Sequence, residues 1–430
     1  MDKIFTHELT LLVQAIIILV APVVIWRFLG LRHIVPLVCI QIISGIALGP
    51  SIFGRIAPDI FNLIFTPTML KPLSGIASIA VLLFGYTTGL HLEPHAIMGR
   101  GRSFAFMSTA SIVVPMIGGF SAGLWIVNSN PAELSEGVDI ISFSFAIGIC
   151  VSVTALPVLG AILREMNLLG QRIGDLVLAI AAVNDAVLWI LLAGLMTALA
   201  GEASGQYGLI VTLCGTPIYL FIMFYYVRPY LRRLVPHILR NGAINERGLA
   251  ALCGIALGSA IATDLLGLHY IFGAFMAGAL TPNELRHIIL DRLQLVVLAI
   301  LMPFFFITTG LRTFVDLGSL GFIQIFLFTT VIGIIGKVGG TMLAARLTGE
   351  RWGSAFTIGA LVQSKGLMEL VVLTVLLDLK VISQNAFSAL TLMAVITTLL
   401  AMPLARIGLR FGDRYHATEA QLATSTTTFK

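Results

Sequence analysis

Thirteen apolar stretches follow one another along this chain with little polar sequence between them. They run over roughly 9–29, 34–50, 72–90, 103–127, 139–163, 173–199, 207–227, 248–264, 268–282, 293–311, 320–346, 354–377 and 385–409. A bilayer-spanning helix needs about 20 mostly apolar residues. Backbone polar groups in hydrocarbon must be satisfied inside helices or closed barrels. Stretches of this length therefore predict an all-α polytopic membrane protein with about 13 transmembrane helices, the eighth and ninth of them short. Composition agrees, with 58% hydrophobic and 11% charged residues and a mean hydropathy of +1.00, whereas a soluble domain is about a quarter charged. The first stretch is too long for a signal-peptide core and lacks a small-residue cleavage site, so it reads as a retained helix.

The loops fix the expected orientation. With the N-terminus outside, nineteen of the 26 Lys and Arg residues fall on the cytoplasmic side and five outside, while Lys337 and Lys365 lie within spans. That asymmetry is the positive-inside pattern. It predicts an N-out, C-in protein of the bacterial inner (plasma) membrane, with Glu133, Glu136 and Asp139 outside. The net charge of +5 is then a property of cytoplasmic loops and carries no nucleic-acid signal. Cys39, Cys150, Cys214 and Cys253 all sit in apolar runs and show neither disulfide nor metal spacing. No cofactor is expected.

Two short motifs recur in the same order. "LLFGYTTGLHLEP" (82–94) ends span three and "PFFFITTGLRTFVD" (303–316) ends span ten; "GIALGP" (45–50) in span two matches "FMAGALTP" (275–282) in span nine. The offsets are 221 and about 230 residues. Spans one to six (9–199) then correspond to spans eight to thirteen (248–409), with span seven (207–227) as connector. An odd number of crossings inverts the second copy, giving two inverted six-helix repeats, an architecture of many secondary transporters. In such proteins the site lies near the midplane, in interrupted helices at equivalent positions.

Polar residues inside the spans mark those positions. Span five contains "CVSVTALPVLG" (150–160), where Pro157 deprives the Val153 carbonyl of its helical partner. Ser152 and Thr154 place hydroxyls beside it, oxygen ligands of the kind a hard cation takes, or else a patch for an ordinary proline kink. Span twelve, fifth in the second copy, contains "LVQSKGLMELVV" (361–372). There Ser364, Lys365 and Glu369 interrupt the run, and the last two have the spacing of a simple helical ion pair. Asn184 and Asp185 stand in "LAIAAVNDAVLWILLAG" (178–194). Asp185 is roughly 18 Å into span six at about 1.5 Å per residue, near the bilayer centre. A charge there costs about 2.5–3.5 kcal/mol or more. Lys337 lies mid-span in glycine-rich span eleven, too deep to snorkel, and needs a carboxylate, a helix C-terminus or deprotonation. A single buried carboxylate can hold a proton or a small cation in competition, and alternating exposure of that site makes an exchanger.

The segments "CVSVTALPVLGAILREMNLLG", "AIAAVNDAVLWILLA", "HYIFGAFMAGALTP" and "SKGLMELVVL" resemble the monovalent cation:proton antiporter superfamily, and within it the bacterial Kef-type and plant cation/proton exchanger branch. The resemblance extends over residues 9–409. It implies a sodium/proton antiporter-like fold, a homodimer, a mobile core of spans 4–6 and 11–13, and unwound crossing stretches in spans five and twelve. It implies exchange of K⁺ or Na⁺ for H⁺, with a slight preference for K⁺ from the branch. By motif, Asp185 carries proton and cation, Asn184 is its partner, and Thr154 with Ser152 lines the cation site. Lys337 is the charge partner, and Pro157, Ser364, Lys365 and Glu369 line the crossover. Thr154 and Asp185 would ligate the transported cation. Some relatives have two acids where this chain has Asn184 and Asp185, which bears on stoichiometry. Many Kef-like relatives carry a cytoplasmic nucleotide-binding domain, whereas residues 411–430 read as a short cytoplasmic tail, so no nucleotide gating in cis is expected. Rival readings are a proton-coupled carrier of another small solute and a cation channel. An enzyme is disfavoured, since the eight histidines lie in loops, tails or span ends and no HExxH metal motif occurs.

Overall fold

The computed structural model describes residues 7–30, 35–65, 67–91, 101–135, 137–203, 205–240, 243–316 and 318–427. Segment 92–100 with Pro94 and His95, Glu136, and Lys430 lie outside them. The strands among the described residues are the pair Leu239–Arg240 and Ala243–Ile244; nearly everything else is helix.

Ten helical stretches among the described residues are long and apolar enough to cross a membrane, and each coincides with a predicted span. The first half contains α1 (His7–Phe28), α2 (Leu37–Leu48), the short α3 (Phe53–Ile56) and α4 (Pro58–Ile64), α5 (Pro67–Leu90) and α6 (Gly101–Ser129). Span five is two helices, α7 (Ile140–Ser152) and α8 (Leu156–Glu165), and α9 (Arg172–Ala203) is span six. The connector is α10 (Gly205–Ile222), a π-helical turn at Met223–Val227, and α11 (Arg228–Ile238). The second half runs through α12 (Glu246–Leu265), α13 (Tyr270–Leu280), α14 (Asn283–Val296) and α15 (Met302–Arg312), then α16 (Leu320–Ile334) and α17 (Gly340–Leu347). Span twelve is again broken, into α18 (Trp352–Val362) and α19 (Leu367–Asp378), and α20 (Gln384–Thr427) closes the chain.

Three predicted spans fall short of a full crossing helix. Spans five, nine and twelve correspond to helices Ile140–Ser152, Tyr270–Leu280 and Trp352–Val362. The ninth was expected to be short, but the eighth is a 20-residue helix. Its start is set by Asn245, whose side chain accepts from the Gly248 N–H at 2.6 Å and caps one of the orphan amides of the first turn. Segment 411–430, read as a tail, continues the last helix through Thr427.

Burial sorts the helices. Phe143, Ile147, Leu361, Leu373, Phe387 and Met393 on α7, α18, α19 and α20 are fully buried, whereas Ile16, Ile218, Phe221 and Ile261 on α1, α10 and α12 are exposed. Large apolar side chains on the outside are what a bilayer solvates, so the inaccessible helices form the centre and the greasy ones the perimeter.

The recurring TTGL motifs are packing devices. Gly310, in the second copy, faces Gly45 of α2, and a methyl group on Gly45 would lie 2.6 Å from the Ile307 carbonyl oxygen and 2.9 Å from the Gly310 Cα. Gly89, in the first copy, abuts α13 at Phe275 and Gly278 just as closely. Each TTGL therefore packs against the other recurring motif in the opposite half, GIALGP (45–50) or FMAGALTP (275–282). Backbone-to-backbone approach of this kind is how membrane helices associate without a hydrophobic driving force.

Gly310→Val is expected to prevent a stable, monodisperse fold, because the new branches meet backbone rather than movable side chains. Gly254→Ala on α12, where nothing lies within 4 Å, is expected to be neutral or to stabilise by up to about 1 kcal/mol. Thermal unfolding followed by size-exclusion chromatography in detergent compares them.

Candidate functional site

The site is built where the two broken helices meet. α7 begins at Asp139, whose carboxylate accepts from the Ile141 and Ser142 amides at 3.0 and 3.1 Å, and it stops at Ser152. Val153 and Ala155 are extended. Pro157 stands in the first turn of α8, where its missing N–H costs nothing. The proline expected to kink span five thus helps restart a helix after a true break.

The second break, 363–366, turns on Gly366. Its φ of +106° and ψ of −115° belong to a region open essentially to glycine. The breaks are joined directly: the Ala155 amide donates to the Ser364 carbonyl at 2.9 Å, and the Thr154 hydroxyl donates to the Val362 carbonyl at 2.9 Å. Unwound backbone at membrane depth is tolerated here because each strand-like segment satisfies the other.

The two buried lysines serve the end of α7. Lys365 Nζ donates to the Cys150 and Val151 carbonyls at 2.7 and 2.8 Å, and Lys337 Nζ donates to the Ser152 carbonyl. Three carbonyls that a broken helix leaves without amide partners are thereby capped by cations at the negative end of the helix dipole. Lys365 also pairs with Glu369 at 3.4 Å, and both side chains are fully buried. The simple i, i+4 pair is present, but Lys365 sits in the break and its main work is across the interface. The ammonium of Lys337 goes to a carbonyl, one of the three solutions its depth required. The glycines around Lys337 serve helix packing instead, since Cβ atoms on Gly336 and Gly340 would come within 3.0 Å of Pro115 and 2.8 Å of Val114 on α6.

Asn184 and Asp185 face this crossing from α9. Asn184 is held at both ends, donating through Nδ2 to the Thr154 hydroxyl at 2.9 Å and accepting at Oδ1 from Ser111 at 3.1 Å. The Thr154 oxygen therefore donates once, accepts once and retains one lone pair. Ser152 spends its hydroxyl on the Ile149 carbonyl at 3.0 Å, within its own helix. Asp185 is 1% exposed. Neither of its oxygens makes a hydrogen bond of good geometry; Lys337 and the Leu156 amide, at the start of α8, act on it electrostatically. The Ser364 hydroxyl and both polar atoms of Gln363 are likewise buried without partners.

Ser111 was not singled out from the sequence. Its signal was weak, as Ser108 and Ser111 put hydroxyls one turn apart in a span that also carries Thr109 and Ser121. Thr398, whose hydroxyl accepts from the Lys365 amide at 3.2 Å, carried none, being one of many threonines. The pentapeptide Gly119–Gly123, GFSAG, has the spacing of a hydrolase nucleophile motif. It lies in the middle of α6, with Ser121 bonded to the Ile117 carbonyl at 2.9 Å, and has none of the strand–turn–helix context that chemistry requires. Among the described residues no group of three or more His, Cys, Asp or Glu is placed to hold a metal ion.

The family model described as "Sodium/hydrogen exchanger, transmembrane" matches residues 15–406. The chain belongs to this family. It is an integral multi-pass membrane protein of a family of transporters. This exchanger-family chain is 34% identical over 377 residues to "Cation/H(+) antiporter 19" of Arabidopsis thaliana, covering 86% of the chain and 46% of the relative. It is 32% identical over 384 residues to "K(+)/H(+) antiporter 1" of Saccharomyces cerevisiae, covering 86% and 43%. It is 29% identical over 404 residues to "Na(+)/H(+) antiporter NhaS4" of Synechocystis, covering 93% and 97%. The chain spans about half the length of the plant and yeast relatives. Its fold matches the sodium proton antiporter MjNhaP1 of Methanocaldococcus jannaschii with a TM-score of 0.56 at 12% identity, over 94% of this chain and 99% of that one.

Lys365→Met is expected to destabilise this exchanger-family protein by about 3–5 kcal/mol, because it orphans two carbonyls and leaves Glu369 buried and unpaired. Adding Glu369→Met should recover part of the loss by removing the isolated charge. Thermal unfolding of the single and double variants in one detergent decides it; equal stability of Lys365→Met and parent would show that the capping is dispensable.

Proposed function

We propose that this protein exchanges a monovalent cation, K⁺ or Na⁺, for H⁺ by alternating access around Asp185. The observation that carries the reading is a desolvated carboxylate without a good hydrogen bond, seated beside two crossing breaks, where lysines take the carbonyls at the end of α7 and Ala155 and Thr154 take those of Ser364 and Val362. A protein that wanted a structural aspartate there would be expected to bond it. An unbonded one is free to take either a proton or a cation.

The neighbouring residues divide the remaining functions. The carboxylate binds H⁺ or the cation, one excluding the other by charge. Asn184 fixes Thr154, and through it the distance between the breaks, while the remaining Thr154 lone pair supplies an oxygen ligand. Ser152 donates its hydroxyl hydrogen within α7 and keeps its oxygen lone pairs for the cation. Lys337 balances the carboxylate electrostatically while holding the end of α7, and Pro157, Ser364, Lys365 and Glu369 maintain the crossover. One carboxylate in the pair supports one proton per cation, which is electroneutral. The relatives are named for both K⁺ and Na⁺, and hard oxygen ligands suit either ion.

The wider reading follows the same pattern. Reciprocal packing of each TTGL on the other half's glycine motif supports two inverted repeats, 9–199 and 248–409, about connector 207–227, thirteen spans in all. In that arrangement the N-terminus is outside, the C-terminus is cytoplasmic in a bacterial inner membrane, and the protein works as a homodimer.

The test is cation-driven dequenching of a pH-sensitive dye in proteoliposomes, with Na⁺, K⁺, Rb⁺ and Li⁺ in turn. Parent protein is expected to respond to K⁺ or Na⁺. Asp185→Asn is expected to abolish the response while folding normally, with equal or higher thermal stability because a buried charge is gone. Full flux in that variant would remove Asp185 as the carrier. Lys337→Ala is expected to reduce exchange strongly, with Lys337→Arg retaining part of it, since arginine keeps both the charge and the carbonyl cap.

A further inference from the structure

A crevice of about 920 Å³ lies between α9, α10, α11 and α13–α14, outside the crossing just described. Its walls are apolar and aromatic, with Trp189, Leu220, Phe224 and Phe275 among them. Its charged lining is one-sided: Arg228, Arg232 and Arg286 against the single acid Glu284. Arg286 is 5% exposed and bonded to the Thr281 and Ala279 carbonyls at 2.8 and 2.6 Å, so it caps the end of α13. Arg228 and Arg232 make no ion pair among the described residues. They occupy the first turns of α11, directly after Tyr225 and Tyr226 and either side of Tyr230, three exposed tyrosines. Exposed tyrosines beside arginines at the end of a long apolar helix mark the headgroup level of a bilayer.

We propose that this crevice holds an acyl chain of an anionic glycerophospholipid whose phosphodiester sits on Arg228 and Arg232. The volume and the apolar walls suit a chain. Guanidinium forks pair with phosphate oxygens in a bidentate way; phosphatidylcholine and phosphatidylethanolamine carry the same phosphodiester but add a cationic ammonium that an arginine-lined site disfavours, and basic pockets between membrane helices select anionic headgroups. The occupant lies between α9, which carries Asn184 and Asp185, and the helices of the connector and second half. Any motion of α9 against α13 reshapes its site, so anionic lipid would bias the exchange cycle; that consequence rests on the proposed exchange, while the binding itself does not.

The experiment reads binding. Purified protein in a neutral detergent is titrated with phosphatidylglycerol, with phosphatidylcholine of the same chains, and with soluble glycerol phosphate, following thermal stability. Phosphatidylglycerol is expected to raise the melting temperature selectively, and glycerol phosphate to do little. Arg228→Gln with Arg232→Gln, both at the surface, should weaken phosphatidylglycerol binding roughly 25-fold, from about fivefold per guanidinium. Leu220→Trp, which narrows the apolar part of the crevice and leaves both arginines in place, should weaken the same stabilisation. Equal response to the two lipids, or parent-like binding by the double arginine variant, would overturn the site. Parent-like binding by Leu220→Trp would overturn the crevice as its location. Neither outcome touches the assignment of Asp185.

Discussion

The capping of α7 by two lysines from the other half of the chain is the contact on which the centre of this protein depends. A helix that ends in hydrocarbon exposes carbonyls that cost several kcal/mol each if left bare. Water is not there to take them, and the following residues turn away into the break. Lys365 and Lys337 take the Cys150, Val151 and Ser152 carbonyls between them. The same bonds solve the opposite problem, that of two long cationic side chains with no route to water. Each defect is the other's remedy, and neither the break nor the lysines would be stable alone.

Everything nearer the chemistry is arranged around that clamp. With the α7 carbonyls occupied, the oxygens with acceptor capacity left at the crossing include those of Asp185, Glu369, Gln363, Ser364, Ser152 and Thr154. Asn184 bridges Ser111 and Thr154 and so ties α6, the first break and α9 together. The helices beside it are joined differently, by glycine contacts that bring α2 to α15 and α5 to α13. A rigid polar centre and a close-packed apolar frame are two kinds of adhesion in one molecule, and a boundary between them is where a moving part can slide.

Much of this was legible beforehand, for reasons that can be named. Helix positions followed from apolar length because a bilayer imposes a fixed thickness on every crossing. The sites in spans five, six, eleven and twelve stood out because polar groups in hydrocarbon are costly enough to be informative wherever they occur. What could not be read was pairing. Lys337 was assigned by resemblance to the carboxylate, yet its hydrogen bond goes to the Ser152 carbonyl. Lys365 and Glu369 suggested a local helical pair, yet the lysine reaches mainly across some 215 residues of sequence. Ser152 was read as a ligand, and the structure adds that its hydroxyl hydrogen goes to the Ile149 carbonyl of its own helix.

The sequence by itself determined the membrane class, the number of apolar stretches, the interrupted positions and the charges inside the spans, since each of these is a property of one segment in a uniform solvent; it did not show the burial of Arg286 and Glu133. It also carried the glycine motifs, though not what they touch. Tertiary structure decided which backbone carbonyl each lysine satisfies, that Ser111 holds Asn184, and that Asp185 is left without a strong protein partner. A hydrogen bond needs two atoms within about 3 Å, and which atoms meet at that distance is set by how the two halves pack, a relation that no single segment contains.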